Sequence, residues 1–448
     1  MKSGKPNRWE DIPWGKATRH VFKLQKRVYD AELRGDKNTV EKIQQKIADS
    51  FYAKALAVRQ VAQLSKGRHT AGIDDVKSPS PAGKMRMTNG LTIHHRPSPV
   101  RRLMIPKPGK DEMRPLGIPN LTDRAHQALL VLILMPQWEA RFSRRQYGFR
   151  EGRGTHDAVS FIQRHLRMTG PEWVLEVDIE RFFDRIDHDE LLRRLDGPPP
   201  IANAVSGILK AGVLALGEYS ATEVGTPQGG PLSPLLANVA LAGLEEHLDR
   251  EFRREFAGRI TALGSPALAI YADDAVVMHR DRDVVEWSRT AIQDYLAPLG
   301  LRLSESKTRV SHSQLPPTQG VGAGFDFLGF HIQHHWTRKT GGRRTPYLVV
   351  SPSKRSVDRF YRECADRIDK LKLSRKHRGA RRDRQAQGMD DPVTNMIRDL
   401  NRRIRGWTNY FCHSNAKQAF SRLDHLLHEK LWKWAVRRFD QKRRKWII

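Results

Sequence analysis

Cysteine is nearly absent: Cys364 and Cys412 are the only two in 448 residues. That excludes a disulfide framework and a multi-cysteine zinc domain, and it suits a reducing compartment. Long apolar runs are missing too. The longest, Ala128–Met135, falls far short of the roughly 18 residues of a membrane span, so no membrane partner is expected. The N-terminus, MKSGKPNRWEDIPW, has charge but no apolar core and no cleavage site, so no secretory signal is expected. Acids are the minority charge: 79 Lys/Arg stand against 50 Asp/Glu, a formal net charge of +29. Hydrophobic residues are 39%, below the roughly 45–50% of an ordinary globular chain. A field this positive points to a polyanion, and nucleic acid is the commonest one. A merely solubilising basic surface is the competing reading. A cytoplasmic, nucleic-acid-associated location is expected.

At roughly 100–200 residues per domain, the length suggests two to four units. Residues 17–65 read as helical: Val21, Leu24, Val28, Leu33, then Ile43, Ile47, Phe51, Ala55 and Val58 recur three and four apart. Arg34-Gly35-Asp36 reads as the break between two helices. Residues 66–99, rich in Gly, Pro, Ser, Lys and His, read as loop with a short helix. Arg101–Pro106 and Arg114–Pro119 read as a strand pair around Pro108-Gly109-Lys110. Asp123–Phe142 and Pro231–Asp249 read as helices, and Val174–Ile179 and Ala267–Tyr271 as short strands. From Lys354 the composition shifts: residues 354–448 hold 27 Lys/Arg against 11 Asp/Glu, a net +16. Helices are expected at 354–372, 392–412 and 416–440. Between the first two, about 374–391 reads as an exposed basic linker.

Chemistry first shows at Tyr271-Ala272-Asp273-Asp274, which reads as strand, tight turn, strand with two adjacent carboxylates at the tip. Two acids there repel each other, and a hard divalent cation such as Mg²⁺ would relieve the repulsion. A solvated turn is the bland alternative, since Asp is a common turn residue. A second apolar strand, Val174-Leu175-Glu176-Val177-Asp178-Ile179, carries another acid. One strand-borne Asp with a hairpin Asp pair is what two-metal phosphoryl transfer needs, one ion at the attacking 3′-hydroxyl and one at the leaving pyrophosphate. A third segment, Thr226-Pro227-Gln228-Gly229-Gly230-Pro231-Leu232-Ser233-Pro234-Leu235-Leu236-Ala237-Asn238, has a Gly pair opening a helix, which allows close backbone approach to a ligand.

In this order the segments resemble the reverse transcriptases encoded by group II introns and their group II-like relatives. Ile105–Lys110 and Arg114–Pro119 are similar to the first fingers motifs of that family, and Tyr147-Gly148-Phe149-Arg150, with Gly152, Arg153 and His156, to the next block. Asp178 matches the catalytic Asp of palm motif A, Thr226–Asn238 motif B, Tyr271–Asp274 motif C, and Leu299–Thr308 motif D. Phe327-Leu328-Gly329-Phe330 resembles the motif beside the primer terminus. Ile404–Phe411 resembles the core of the maturase, or thumb, domain. The N-terminal helices, with Thr70–Asp74 after them, resemble the N-terminal extension. No His-Asn-His endonuclease pattern follows the thumb motif, so second-strand cleavage is not expected.

The resemblance implies an α+β right hand: an all-α N-terminal extension over 1–65, fingers and a ferredoxin-like, antiparallel palm over 66–350, and an all-α thumb over 351–448. It implies RNA-directed DNA polymerisation with two Mg²⁺ ions held by Asp178, Asp273 and Asp274, and Lys307 as a proton donor to the leaving group. Lys107 and Arg114 would hold the incoming triphosphate, as a point charge and a fork respectively. Phe183, five residues after Asp178, would crowd a ribose 2′-hydroxyl, and Gln228 would support the nucleotide pocket. Phe327, Leu328 and Gly329 would support the primer end. Arg402, Arg403, Arg405, Trp407 and Tyr410 would contact RNA, although aromatics on such a helix also read as core. Expected partners are a structured RNA such as a group II intron, an RNA template with its DNA primer, a DNA target and dNTPs. The competing functions are a domesticated polymerase in phage defence or end repair, and an RNA-binding maturase without polymerisation. A degenerate enzyme is expected to have lost one of the three aspartates, which counts against the last. The pairs His94-His95 and His334-His335 invite a metal reading, but adjacent side chains diverge and no ligand set accompanies them.

Overall fold

The apolar stripes read near the N-terminus bury as helices Trp14–Leu33 and Lys37–Asp49, joined through Gly35 at φ 70°. Asp36 caps the second, its side chain accepting from the Thr39 N–H at 3.0 Å. The computed structural model describes residues 5–106, 113–215, 217–227, 229–257, 264–314, 322–338, 344–371 and 392–438. Lys107, Gln228 and the linker read at 374–391 lie outside these residues. The chain divides into two units, residues 1–158 with 177–309, and residues 159–176 with 310–448. Among the described residues no helix is long and apolar enough to cross a membrane.

In the first unit the N-terminal helices pack on helix Leu121–Arg141, whose Leu129, Leu130, Ile133 and Leu134 are fully buried. Each such side chain contributes about 1.5–3 kcal/mol. This helix carries Pro136 in its interior. Proline has no N–H to offer the carbonyl four residues back, here that of Leu132. Gln25 fills the gap, its Nε2 donating to Leu132 O at 3.0 Å. Close by, Gln44 Nε2 donates to Gln137 Oε1 at 2.8 Å. The contact between these helices is therefore polar where the proline demands it and apolar elsewhere.

A four-stranded sheet stands further along the same unit. Val100–Pro106 and Met113–Ile118 pair antiparallel, with Arg102 opposite Gly117 and Ile105 opposite Arg114. Val213–Ala215 adds parallel to the first of these, and Glu218–Ser220 pairs antiparallel with it in turn. The helix expected over Pro231–Asp249 is two helices, Ser233–Leu241 and Leu244–Glu255. Gly243, at φ 92°, breaks the run: a left-handed residue ends a helix and reorients the chain.

In the second unit, Phe325–Phe327, Phe330–Arg338 and Arg344–Pro352 form an antiparallel meander. Three helices follow, Lys354–Lys370, Pro392–Phe411 and Lys417–Arg438. Their shared core holds Val357, Phe360, Cys364, Ile368, Met396, Leu400, Leu423, Leu427 and Trp434. Sheet and helices join at Asn415, whose N–H donates to Val350 O at 2.6 Å while its Oδ1 accepts from Val350 N at 3.2 Å.

Candidate active site

Adjacent acids need a backbone stiff enough to hold them against their own repulsion. Ala267–Tyr271 and Asp274–His279 supply it as an antiparallel hairpin with Tyr271 opposite Asp274. Consecutive residues on both strands are buried, among them Leu268, Ala269, Ile270, Val276, Val277 and Met278. Both faces are therefore covered, which is why the sequence is continuously apolar rather than alternating. Ala272 and Asp273 form the two-residue turn. Ala272 sits at φ 55°, where a residue with a side chain bears about 1–3 kcal/mol of strain.

Asp178 ends the strand Trp173–Asp178, and main-chain bonds bring it alongside. Ile179 N donates to Asp273 O at 3.4 Å, and Ser304 N donates to Asp178 O at 2.8 Å. The Ser304–Lys307 turn then delivers Lys307, whose Nζ lies 2.7 and 2.9 Å from Asp178 Oδ1 and Oδ2. All three acids and the lysine belong to the first unit.

The electrostatics are those of crowded negative charge. Burial raises the Asp273 carboxyl above its ordinary range and the Asp178 charge adds to this, while Arg114 and Lys307 pull it back. Asp274 is pushed up to about 7 by burial and then by the charges of Asp273 and Asp178. Its side chain still reaches solvent, so the desolvation comes from surrounding protein rather than from a sealed cavity. Among the described residues no three acids, histidines or cysteines converge closely enough to coordinate one ion, and both Asp178 oxygens face Lys307. In donor chemistry the set does fit a hard divalent cation: three carboxylates in one place, two of them held above their ordinary range, are stabilised by positive charge.

The neighbouring pocket residues separate by burial. Phe182 is 2% exposed and belongs to the core, whereas Phe183 is half-buried and its ring faces that of Phe149 at 6.2 Å. Thr226 N donates to Phe183 O at 2.6 Å, tying the loop before Gln228 to this turn. Gly229 passes so close to the hairpin of Arg114 that an added Cβ would lie 2.6 Å from Gly117 O. Arg114 is exposed, and its charge acts on Asp273.

The other expected site residues lie in the second unit. Leu328 and Gly329, at φ 50° and 85°, are the turn between Phe327 and its partner Phe330, and Tyr410 Oη donates to Leu328 O at 2.9 Å. Trp407 stacks on Phe360 at 5.0 Å and 15° and meets Phe420. Asp399 accepts from Arg402 at 2.7 Å and Arg403 at 3.1 Å, and also pairs with Arg367 at 3.0 Å. Three guanidinium groups on one carboxylate leave an excess of positive charge. Arg405 is exposed and pairs with no acid among the described residues.

Comparison with known proteins decides what this geometry belongs to. The family described as reverse transcriptase (RNA-dependent DNA polymerase) matches residues 105–332, half of the chain and all three aspartates.

The chain belongs to the reverse transcriptase family.

The N-terminal domain of reverse transcriptase matches residues 9–91, and the group II intron maturase-specific domain matches residues 374–448. Protein YkfC of Escherichia coli is 32% identical over 61% of this chain and 78% of its own length. The group II intron-encoded protein LtrA of Lactococcus lactis is 40% identical over 37% of this chain and 28% of its own length, so the match spans well under two thirds of that relative. Maturase-like protein 1 of Euglena gracilis is 24% identical over 76% of this chain and 69% of its own. The reverse transcriptase family implies a right-hand fold, in keeping with the mixed helices and sheets seen here, and a chemistry dependent on divalent metal ions. Reverse transcriptase and group II intron maturase domains together make this an RNA-directed DNA polymerase of the intron-encoded kind.

This reverse transcriptase also holds its catalytic hairpin in a cradle that sequence reasoning left without a role. Tyr147 N donates to Ile270 O at 2.8 Å, and Ile270 N to Arg145 O at 2.9 Å. Gln146 Nε2 donates to Asn238 O at 2.8 Å, and Asn238 Nδ2 to Gly148 O at 2.8 Å. Arg150 forks Glu139 at 2.6 and 2.9 Å and donates to the Ser143 and Gln146 carbonyls, each at 2.6 Å. Gly148 lies directly beneath the acid-bearing turn, where an added Cβ would stand 2.5 Å from Ala272 N. The signal available in sequence was the uncharged pair Gln146 and Asn238 inside apolar surroundings, which buried backbone requires to be satisfied.

Proposed function

We propose that this reverse transcriptase extends DNA 3′ ends on RNA templates using two Mg²⁺ ions held by Asp178, Asp273 and Asp274. The supporting observation is the main-chain bond from Ile179 to Asp273 with Ser304 bonded to Asp178, which gathers three carboxylates and Lys307 into one site. When bound, the ions supply charge stabilisation for the attacking and leaving oxygens of an in-line displacement. The protein's own groups do the rest. Arg114 and Lys107 bind the triphosphate; Lys307 hands a proton to the departing pyrophosphate; Phe183 excludes a ribose 2′-hydroxyl; Gln228 supports the nascent pair. Phe327, Leu328 and Gly329 support the primer end, the paired main-chain turn giving that backbone a fixed shape.

Residues 1–65 act as an N-terminal extension, 66–350 as fingers and a ferredoxin-like palm, and 351–448 as a thumb that binds structured intron RNA. Arg405, with the excess charge around Asp399, supplies phosphate contacts, and Trp407 and Tyr410 keep the helix in place for them. The intron RNA, a DNA target and dNTPs are the partners, in a cytoplasmic, nucleic-acid-associated setting. Asp273→Asn tests the core of this reading: primer extension on poly(rA)/oligo(dT) with Mg²⁺ vanishes while RNA retention on filters persists. Extension near the wild-type rate would remove the metal assignment.

A further inference from the structure

Phe149 combines two costs with no packing return. It is 44% exposed, and it stands at φ 57°, a left-handed value that is a genuine outlier for a bulky residue. Its neighbours hold it there. Gly148 is trapped between Asn238 and the Ala272 backbone, and Arg150 is pinned by Glu139 and two carbonyls. What this conformation achieves is visible in one contact: the Phe149 ring meets the Phe183 ring edge to face, 6.2 Å between centroids and 75° between planes. Phe183 needs such a neighbour. It sits on a helix of only four residues, Phe182–Arg185, and is half-buried, so its own element does little to hold its ring.

We propose that Phe149 is a positioning residue for sugar selection, backing Phe183 so that its ring stays where a ribose 2′-hydroxyl would fall. Strain in a functional site is then the means by which an exposed ring is aimed rather than buried. The inference rests on Phe183 being the ring that excludes the 2′-hydroxyl, and it adds a second residue through which that exclusion depends on the cradle of the catalytic hairpin.

Single-nucleotide incorporation of dGTP and GTP by the full chain gives the test, comparing wild type, Phe149→Ala, Phe183→Ala and the double variant, each with its melting temperature. Phe149→Ala lowers the dGTP/GTP ratio of kcat/KM by about two- to tenfold, the range an aromatic pair supports, through a rise in kcat/KM for GTP. The double variant discriminates no worse than Phe183→Ala alone, because Phe149 acts through that ring. Phe149→Tyr, which keeps the ring, keeps the ratio. Phe149→Gly loses selectivity like Phe149→Ala yet melts higher than it, since glycine accepts the left-handed backbone; that separates aim from folding. An unchanged ratio in Phe149→Ala while Phe183→Ala collapses it overturns the proposal, as does an additive loss in the double variant. A ratio unmoved by Phe183→Ala overturns the underlying assignment of Phe183 instead.

Discussion

Gly148→Ala adds one methyl group beneath the catalytic turn, and the surroundings allow its effect to be worked through. The new Cβ would stand 2.5 Å from Ala272 N, 3.1 Å from Tyr271 C and 3.3 Å from Ala272 Cα. All three are main-chain atoms, so no side chain can swing aside. Ordinary contact begins near 3.4 Å, and the two segments must part by about 0.9 Å. Gly148 cannot retreat freely either, because its carbonyl is held by Asn238 at 2.8 Å. Overpacking of this kind costs about 1–3 kcal/mol of stability. The larger consequence is kinetic, since the displaced segment carries Asp273, and a misplacement of about 1 Å near the chemistry costs on the order of 100-fold in rate. Single-turnover extension of a DNA primer on an RNA template, with thermal melting in parallel, measures both. The expected result is a rate about 100-fold down in a protein that still melts cooperatively. A variant that loses stability yet extends within about twofold of wild type would refute the reasoning: the hairpin would then not depend on Gly148 for its position.

Two further outcomes follow from the charge map. Replacing Arg402, Arg403 and Arg405 together by Gln should weaken RNA binding and flatten the dependence of log K on log salt by up to about two or three units, at about 0.7–0.9 per phosphate released; since Asp399 already engages the first two, Arg405→Gln alone should account for nearly one unit, and an unchanged slope with lowered stability would make these arginines structural. His126 is fully buried, with Nε2 at 3.3 Å from Ile93 O, and burial followed by the neighbouring His95 lowers its pKa to about 4. It is therefore neutral in the fold, and its contribution, at most about 3 kcal/mol, is present above an unfolded value near 6.5 and lost as pH falls through about 4. The denaturation midpoints of wild type and His126→Gln should converge between pH 7 and 4.5, and a constant gap would sink this assignment.

Much of the fold was legible because apolar spacing encodes burial directly. The N-terminal helices, the strand pair ahead of Arg114 and the three C-terminal helices lie within a few residues of where periodicity placed them. The failure at Pro231–Asp249 has a plain cause: the apolar run continues across Ala242 and Gly243, and periodicity does not register a single residue that turns left-handed. Helix Pro392–Phe411 is ambiguous for a different reason. A helix that binds RNA and a helix that merely packs both show aromatics among cations, and only the contacts separate them: Trp407 lies on Phe360, and Phe411 is 1% exposed against Phe330.

The candidate site divides along similar lines. Asp178, Asp273 and Asp274 stood out because carboxylates interrupting apolar strands contradict their surroundings, and a contradiction at one level implies a compensating gain at another. Ala272, Phe149 and Leu328 contradict only the backbone they adopt, at φ 55°, 57° and 50°. Their side chains are ordinary in composition and spacing, so nothing in the letters marks them. A glycine at any of the three would relieve the strain and would have announced a turn. Leu328 ties its carbonyl to Tyr410, Ala272 shares its turn with the acid, and Phe149 presents its ring to Phe183. Each strained residue thus sits at a point where the chain must hold a particular direction, and the stability it forgoes is the physical trace of that requirement.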